Sequence, residues 1–431
     1  MATPAPATDY PPALGPADFL PVDAKQAAIG QLLFYDKILS GNRNISCATC
    51  HHPAFGSSDG TSLGIGEGGV GLGPTRTGGE GHDRIERRVP RNAPALWNLG
   101  ASEVHVVMHD GRVSRDPIYG NGFNTPAEEW LPQGLNSVLA AQALFPMASE
   151  REMAGGTEEN EVSGAVFDRI DKGWPIIAKR VRSYPQYGQM FVDAFDHIEK
   201  PEEVTIVEIA NSLAAFMSLE FRSFDSPFDA FLAGDEAALN SEARLGAELF
   251  FGEAGCSGCH AGARFSDLEF HALGLPGFGP GRTRKFDLIA RDVGRMGESD
   301  ALEDAYRFKT PALRNIALTG PYGHNGAYRT IEEMIRHHLD PEAARAEWTT
   351  DNPILPDVPW LQPVDFMVRN DRFEMARQNA KRDIFLPDRT DAEIASLVAF
   401  LNSLTGTESV TNPPFGVPDS VPSGLPVDKA P

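Results

Sequence analysis

Two pentapeptides, Cys47-Ala-Thr-Cys50-His51 and Cys256-Ser-Gly-Cys259-His260, use all four cysteines of this 431-residue chain. Each has the spacing at which two thiols can form thioethers to one porphyrin, while the histidine that follows reaches its iron as an axial ligand. The spacing predicts two covalently attached c-type haems, so the chain has to fold around two flat, largely apolar groups. Two separate disulfides or one four-cysteine zinc site are the alternatives. Neither gives a reason for a histidine after both pairs, and zinc ribbons hold their cysteine pairs much closer together.

The segments around the two pentapeptides echo one another. Ile29-Gly-Gln-Leu-Leu-Phe34-Tyr35 precedes the first and Leu245-Gly-Ala-Glu-Leu-Phe250-Phe251 the second. Further on, Glu208-Ile-Ala-Asn-Ser-Leu213-Ala-Ala-Phe216 is matched by Glu393-Ile-Ala-Ser-Leu397-Val-Ala-Phe400, both with apolar residues at helical spacing. Each unit therefore opens and closes with a helix, the arrangement of a cytochrome c domain. The predicted fold is mainly α, with two cytochrome c-like domains and long irregular loops. The Ser-Pro and Gly-Asp steps of residues 223–235 suit a boundary, giving an extension at 1–19, domains at 20–235 and 236–408, and a Pro-rich tail at 409–431. That tail reads as disordered or as an extended strap. Residues 64–81 are half glycine but lack the Gly-Lys-Ser/Thr of a phosphate loop, so a flexible loop beside the first haem is expected.

A formal charge of −22 and a pI near 4.9 exclude nucleic acid as the natural partner and favour a basic protein. No apolar run approaches the roughly 20 residues that span a bilayer. Attachment of c-type haem takes place outside the cytoplasm, yet Met1 to Asp18 shows neither a basic nor an apolar signal region. The expectation is a periplasmic protein whose export signal has been removed and whose Met1 is a remnant of cloning.

Several further motifs appear in a fixed order. They are Leu33-Phe34-Tyr35-Asp36 leading into the first haem motif, Arg91-Asn-Ala-Pro-Ala-Leu-Trp-Asn98, His109-Asp-Gly-Arg112, Thr310-Pro-Ala-Leu-Arg-Asn315 and Thr319-Gly-Pro-Tyr-Gly-His-Asn-Gly326. From about residue 20 to 405 the chain resembles the bacterial di-haem cytochrome c peroxidase and MauG family. The resemblance implies a peroxide-reactive first haem, an electron-storing or electron-relaying second haem, and a calcium ion between the two domains. It also implies hydrogen peroxide as one reactant and a redox partner or protein substrate as the other.

Cleaving a peroxide O–O bond heterolytically requires a proton taken from one oxygen and delivered to the other, a task for a nearby carboxylate. The stretch Gln142 to Met153 is similar to the family's distal segment. By that correspondence Glu152 is the acid-base residue, Gln142 positions the oxygen ligand and Pro146 shapes the pocket. Glu150 is the competing carboxylate.

At the second haem this chain departs from its relatives. Fourteen residues after His324, where the peroxidases place a methionine and MauG a tyrosine, stands His338. Imidazole in place of a thioether generally lowers haem potential and supports oxidised states, which favours the MauG-like branch, where oxidising equivalents from peroxide are passed to a substrate. His337 and Met334 are the alternative ligands. The residue before Asp-Gly-Arg is generally tryptophan in the family and is His109 here, so His109 or Trp97 is the expected relay between the haems. Asn92, Thr319 and Pro321 are the implied calcium ligands, the last two through backbone carbonyls. Residues 113–134, including Trp130, have no counterpart in the family and suit a surface element for a partner. A peroxidase fed by a small cytochrome or cupredoxin, and a non-catalytic di-haem carrier, are the other function classes. His82 reads as an uninvolved surface histidine, with a cap on the first iron as the alternative, and His105, His197 and His271 belong to no motif and are assigned to structure or surface.

Overall fold

Two helix pairs carry the molecule, whose computed structural model describes residues 10–81, 84–283 and 291–430. The first pair joins Ala24–Tyr35 to Ile206–Glu220 and the second joins Ser241–Phe251 to Asp391–Asn402. Their starts are fixed by side-chain caps. Asp23 accepts from the amides of Lys25 and Gln26, Asn240 from that of Ala243, and the closing helices share a Thr-x-x-Glu box, Thr205 with Glu208 and Thr390 with Glu393.

Both pairs cross at a glycine. A Cβ on Gly30 would lie 1.9 Å from the Ser212 carbonyl oxygen, and one on Gly246 would lie 1.9 Å from that of Ser396. Only hydrogen fits there, which lets the backbones touch. Phe34 then meets Phe216 at 5.1 Å between ring centroids and 55°, and Phe250 meets Phe400 at 5.1 Å and 57°. The echo read in the sequence is thus reproduced in packing, aromatic pair for aromatic pair.

The first core gathers Leu33, Phe34, Leu139, Leu144, Trp174, Leu213 and Phe216, and the second gathers Phe228, Phe250, Phe265, Leu397 and Phe400. Strands are short. Val106–Val107, Val113–Arg115 and Phe123–Asn124 form an antiparallel sheet, pairing Val107 with Val113 and Ser114 with Asn124. Phe270–His271 pairs with Phe308–Lys309. Residues 113–134 supply two of these strands, and half-exposed Trp130 lies under the Arg169 guanidinium at 3.6 Å.

The ends of the chain cross over. Tyr10 packs edge-on against Phe228, Phe231 and Phe251 of the second core, whereas the stretch after Thr405 runs as an extended strap over the first, burying Val421 in it. Among the described residues no helix is long and apolar enough to cross a membrane.

The glycine-rich stretch differs from the flexible loop its composition suggests. Arg76, 4% exposed, turns its guanidinium inward onto the carbonyls of Ile65, Gly66 and Gly69. One side chain thus supplies the donors that a loop without regular structure otherwise takes from water.

Candidate functional site

Each haem motif folds into one tight turn, Cys47–Cys50 as a short helix and Cys256–Gly258 as a 3-10 turn. The His51 amide donates to the Cys47 carbonyl at 2.9 Å and the His260 amide to that of Cys256 at 3.0 Å. None of the four cysteines forms a disulfide. The two imidazoles are held alike: Nδ1 of His51 lies 3.1 Å from the Ser57 carbonyl and Nδ1 of His260 lies 3.0 Å from that of Phe265. A protonated Nδ1 bound to a carbonyl leaves Nε2 as the metal-binding nitrogen. Burial lowers both histidines, His260 to about 4, so both are neutral at physiological pH, as ligation requires.

One continuous cavity of about 450 Å³ runs past both turns. Cys47, Cys50, His51, Gln142, Pro146 and Glu152 line one end. Glu152 sits on a π-helical turn, Glu150–Ala154, that follows the Val138–Met147 helix carrying Gln142 and Pro146. Such turns are frequent at functional sites. The glycine-rich loop fixes this one: the Glu67 amide donates to the Glu152 carbonyl at 3.0 Å, and a Cβ on Gly66 would meet the Arg151 carbonyl oxygen. Glu150 is exposed and lies off the cavity wall. Asp59, which belongs to none of the motifs, lines the same end, and burial pushes its carboxyl up to about 6.

Cys256, Cys259, His260, Met334 and His338 line the other end. The His260 and His338 ring centroids are 6.5 Å apart. Two imidazoles on opposite sides of one metal, each bonded at about 2 Å, require a separation of this size. His338 Nδ1 lies 2.8 Å from the Met334 carbonyl, again leaving Nε2 available. His337 has both ring nitrogens engaged, Nδ1 with the Tyr328 hydroxyl at 2.9 Å and Nε2 with the Leu273 carbonyl at 3.1 Å. The described residues thus fit two haems: paired thiols, a neutral histidine beside each pair, and a shared cavity.

Between the ends stand His109, His324, Phe308, Arg91 and Asn92, all lining the cavity. His109 Nε2 lies 3.0 Å from the Asn92 carbonyl, and the Asn92 amide donates to the His324 carbonyl at 2.9 Å. Burial and neighbouring Arg91 push His109 down to about 4. His324 stacks on Phe308 at 3.5 Å and 8°. No spacing in the sequence signalled that pair. Trp97 also lines the cavity, with its Nε1–H donated to the Gly56 carbonyl at 3.0 Å and its ring edge-on to Phe221.

Asn92, Thr319 and Pro321 all line the cavity. Asn92 Nδ2 donates to the Thr61 carbonyl at 2.6 Å, and the adjacent Ser62 hydroxyl donates to the carbonyl of Gly326 at 2.6 Å, in the turn that carries the other two. Of the remaining histidines, His105 and His197 sit at the surface and His271 pairs with Asp267 at 2.9 Å. His82 lies outside the described residues.

Residues 24–237 match the family described as di-haem cytochrome c peroxidase. Over 412 residues the chain is 30% identical to methylamine utilization protein MauG of Paracoccus denitrificans, an alignment covering 91% of this chain and 92% of that one. This chain belongs to the di-haem cytochrome c peroxidase family. It is also 30% identical to cytochrome c551 peroxidase of Nitrosomonas europaea, covering 73% of each chain. Among solved structures it resembles a MauG-like protein associated with microbial copper homeostasis, with a TM-score of 0.62, 25% identity, and coverage of 97% of this chain and 99% of that one. As a di-haem peroxidase it is an oxidoreductase built for two haems that reacts with peroxide and needs a redox partner or substrate.

Proposed function

We propose that this di-haem peroxidase is a periplasmic, peroxide-dependent oxidase of the MauG type, which shares oxidising equivalents between its two ends and passes them to a substrate such as a protein side chain. The placement of His338, 6.5 Å from His260 with its Nδ1 already committed, carries this reading. Bis-imidazole ligation favours the oxidised state and suits a store of oxidising equivalents better than a high-potential acceptor of electrons.

When bound, the haems supply the reaction with peroxide and the one-electron chemistry. The protein supplies protons and position. Glu152 takes the proton from the nearer peroxide oxygen and returns it to the departing one, so that water leaves rather than hydroxide. Gln142 orients the peroxide by hydrogen bonding, and Pro146 walls the pocket. Cys47, Cys50 and His51 hold the first haem; Cys256, Cys259, His260 and His338 hold the second. His109 fills the relay position between them, while Trp97 packs in the first core. Asn92, Thr319 and Pro321 supply hard oxygen ligands for one calcium ion at that junction.

Titrating the fully oxidised holoprotein with peroxide tests the reading. Under it, one equivalent of peroxide removes electrons from both haems in the absence of a donor, and the oxidation persists until a substrate is added. Steady turnover with a reduced small cytochrome or cupredoxin, without that stored oxidation, identifies the peroxidase instead. Two low-spin haems inert to peroxide in either redox state identify a carrier.

A further inference from the structure

The C-terminal strap is anchored to the first core by three acidic groups. Glu220, 1% exposed, receives the amides of Phe415 and Gly416, each at 2.9 Å. Asp36, fully buried, accepts the Ser423 hydroxyl at 2.6 Å. The third anchor belongs to the strap itself. Asp428 accepts the Thr49 hydroxyl at 2.5 Å through one carboxylate oxygen and pairs with Lys37 Nζ at 2.6 Å through the other. Its side chain is 16% exposed and that of Lys37 is 13% exposed.

Thr49 stands between Cys47 and Cys50. Its hydroxyl oxygen also accepts the Ser46 amide at 3.0 Å, closing the turn that presents both thiols. Asp428 lies against His52 as well, the residue after the His51 ligand. A segment 379 positions away thus places a carboxylate on the haem-attachment turn, in a setting where partial exclusion of water strengthens both the hydrogen bond and the field.

From this arrangement we infer that Asp428 is a positioning residue for the first haem, closing the Cys47–His51 turn and, balanced by Lys37, setting the charge at the attachment side. The inference requires a haem on Cys47 and Cys50 but not the MauG reading, so each can fail without the other. Removing the carboxylate leaves the Lys37 cation uncompensated and favours the reduced iron. Removing the cation leaves the carboxylate and favours the oxidised iron. A role confined to folding has no such change of sign.

The test is a spectroelectrochemical titration of the holoprotein, its two haems resolved by their separate optical and paramagnetic resonance signals, after a pyridine haemochrome assay has established two haems per chain. Asp428→Asn is expected to move the first haem's reduction equilibrium about tenfold towards the reduced state, or about 59 mV upward. Lys37→Met is expected to move it downward, Asp428→Glu to keep the original value, and the second haem to stay in place throughout. The inference is overturned if both charge-removing variants shift the first haem in the same direction, if neither shifts it, or if the two haems move together. Should Asp428→Asn not mature, a Lys37→Met variant with an unmoved first haem is sufficient to overturn it.

Discussion

His260 and His338 face one another across 6.5 Å, with ring planes inclined at 58°, and each has its Nδ1 engaged by a backbone carbonyl. If both bind the second iron, His338→Ala opens a coordination position. The expected outcome is loss of the second haem's low-spin paramagnetic resonance signal with haem content still at two per chain. His338→Met is expected to retain a six-coordinate centre at a higher potential, since thioether favours reduced iron. His337→Gln, which removes two buried hydrogen bonds, is expected to cost about 1–3 kcal/mol in stability and leave the signal in place. A low-spin signal that survives His338→Ala and disappears in His337→Gln reverses the assignment.

Glu152 lines the cavity beside His51 and Gln142, whereas Glu150 on the same π turn is exposed. Glu152→Gln keeps the shape and removes the base. It is expected to slow the reaction with peroxide by about 10²–10⁴-fold, measured by stopped flow, with haem content and resting spectrum unchanged. Glu150→Gln is expected to react at the parent rate. Equal rates for the parent and Glu152→Gln exclude this carboxylate as the proton carrier.

What the sequence disclosed and what it hid follow from the range of the interactions. The cysteine pairs, their histidines and the echoed helices are short patterns with their own periodicity, and they reappear as two matching glycine crossings at Gly30 and Gly246. Contacts between distant segments leave no such trace. Nothing in the spacing joins Asp428 to Thr49, stacks His324 on Phe308, or sends Arg91 to Asp292 at 2.8 Å across the junction. Residues 64–81 misled for a related reason: glycine content reports backbone freedom, but the buried Arg76 guanidinium ties the carbonyls of Ile65 and Gly66 together.

The glycine crossings predict a matched pair of destabilised variants. A methyl group on Gly30 or Gly246 meets a carbonyl oxygen at 1.9 Å and a phenylalanine Cβ at 2.8 Å, so the helices must move apart. Gly30→Ala and Gly246→Ala are each expected to cost about 1–3 kcal/mol, as overpacking does, seen as a lower midpoint in thermal melts of the holoprotein. Gly15→Ala, with nothing within 4 Å of the added methyl, is the neutral control. If all three variants melt together, the close approach is not a source of stability.

Asp110, 1% exposed, is surrounded by cations: Arg91 at 2.5 Å, Arg112 at 3.1 Å and Arg282 at 3.4 Å. Burial by itself raises its carboxyl, but these three guanidinium groups outweigh it and hold the group well below its ordinary value. The sign for stability follows. An unfolded chain takes up the proton near 3.8 while the folded one still excludes it, so the contribution is complete above that pH and is lost as the pH falls towards the folded value. Asp110→Asn leaves buried arginines without their shared partner and is expected to cost about 3–5 kcal/mol at pH 7. Thermal melts of parent and variant are expected to keep a constant gap from pH 7 to about pH 4 and to begin closing it only below the unfolded value of 3.8, where acid starts to remove from the parent what the substitution has already removed. A gap that stays constant below that value as well means that the carboxylate's charge contributes nothing, and that the loss comes from packing alone.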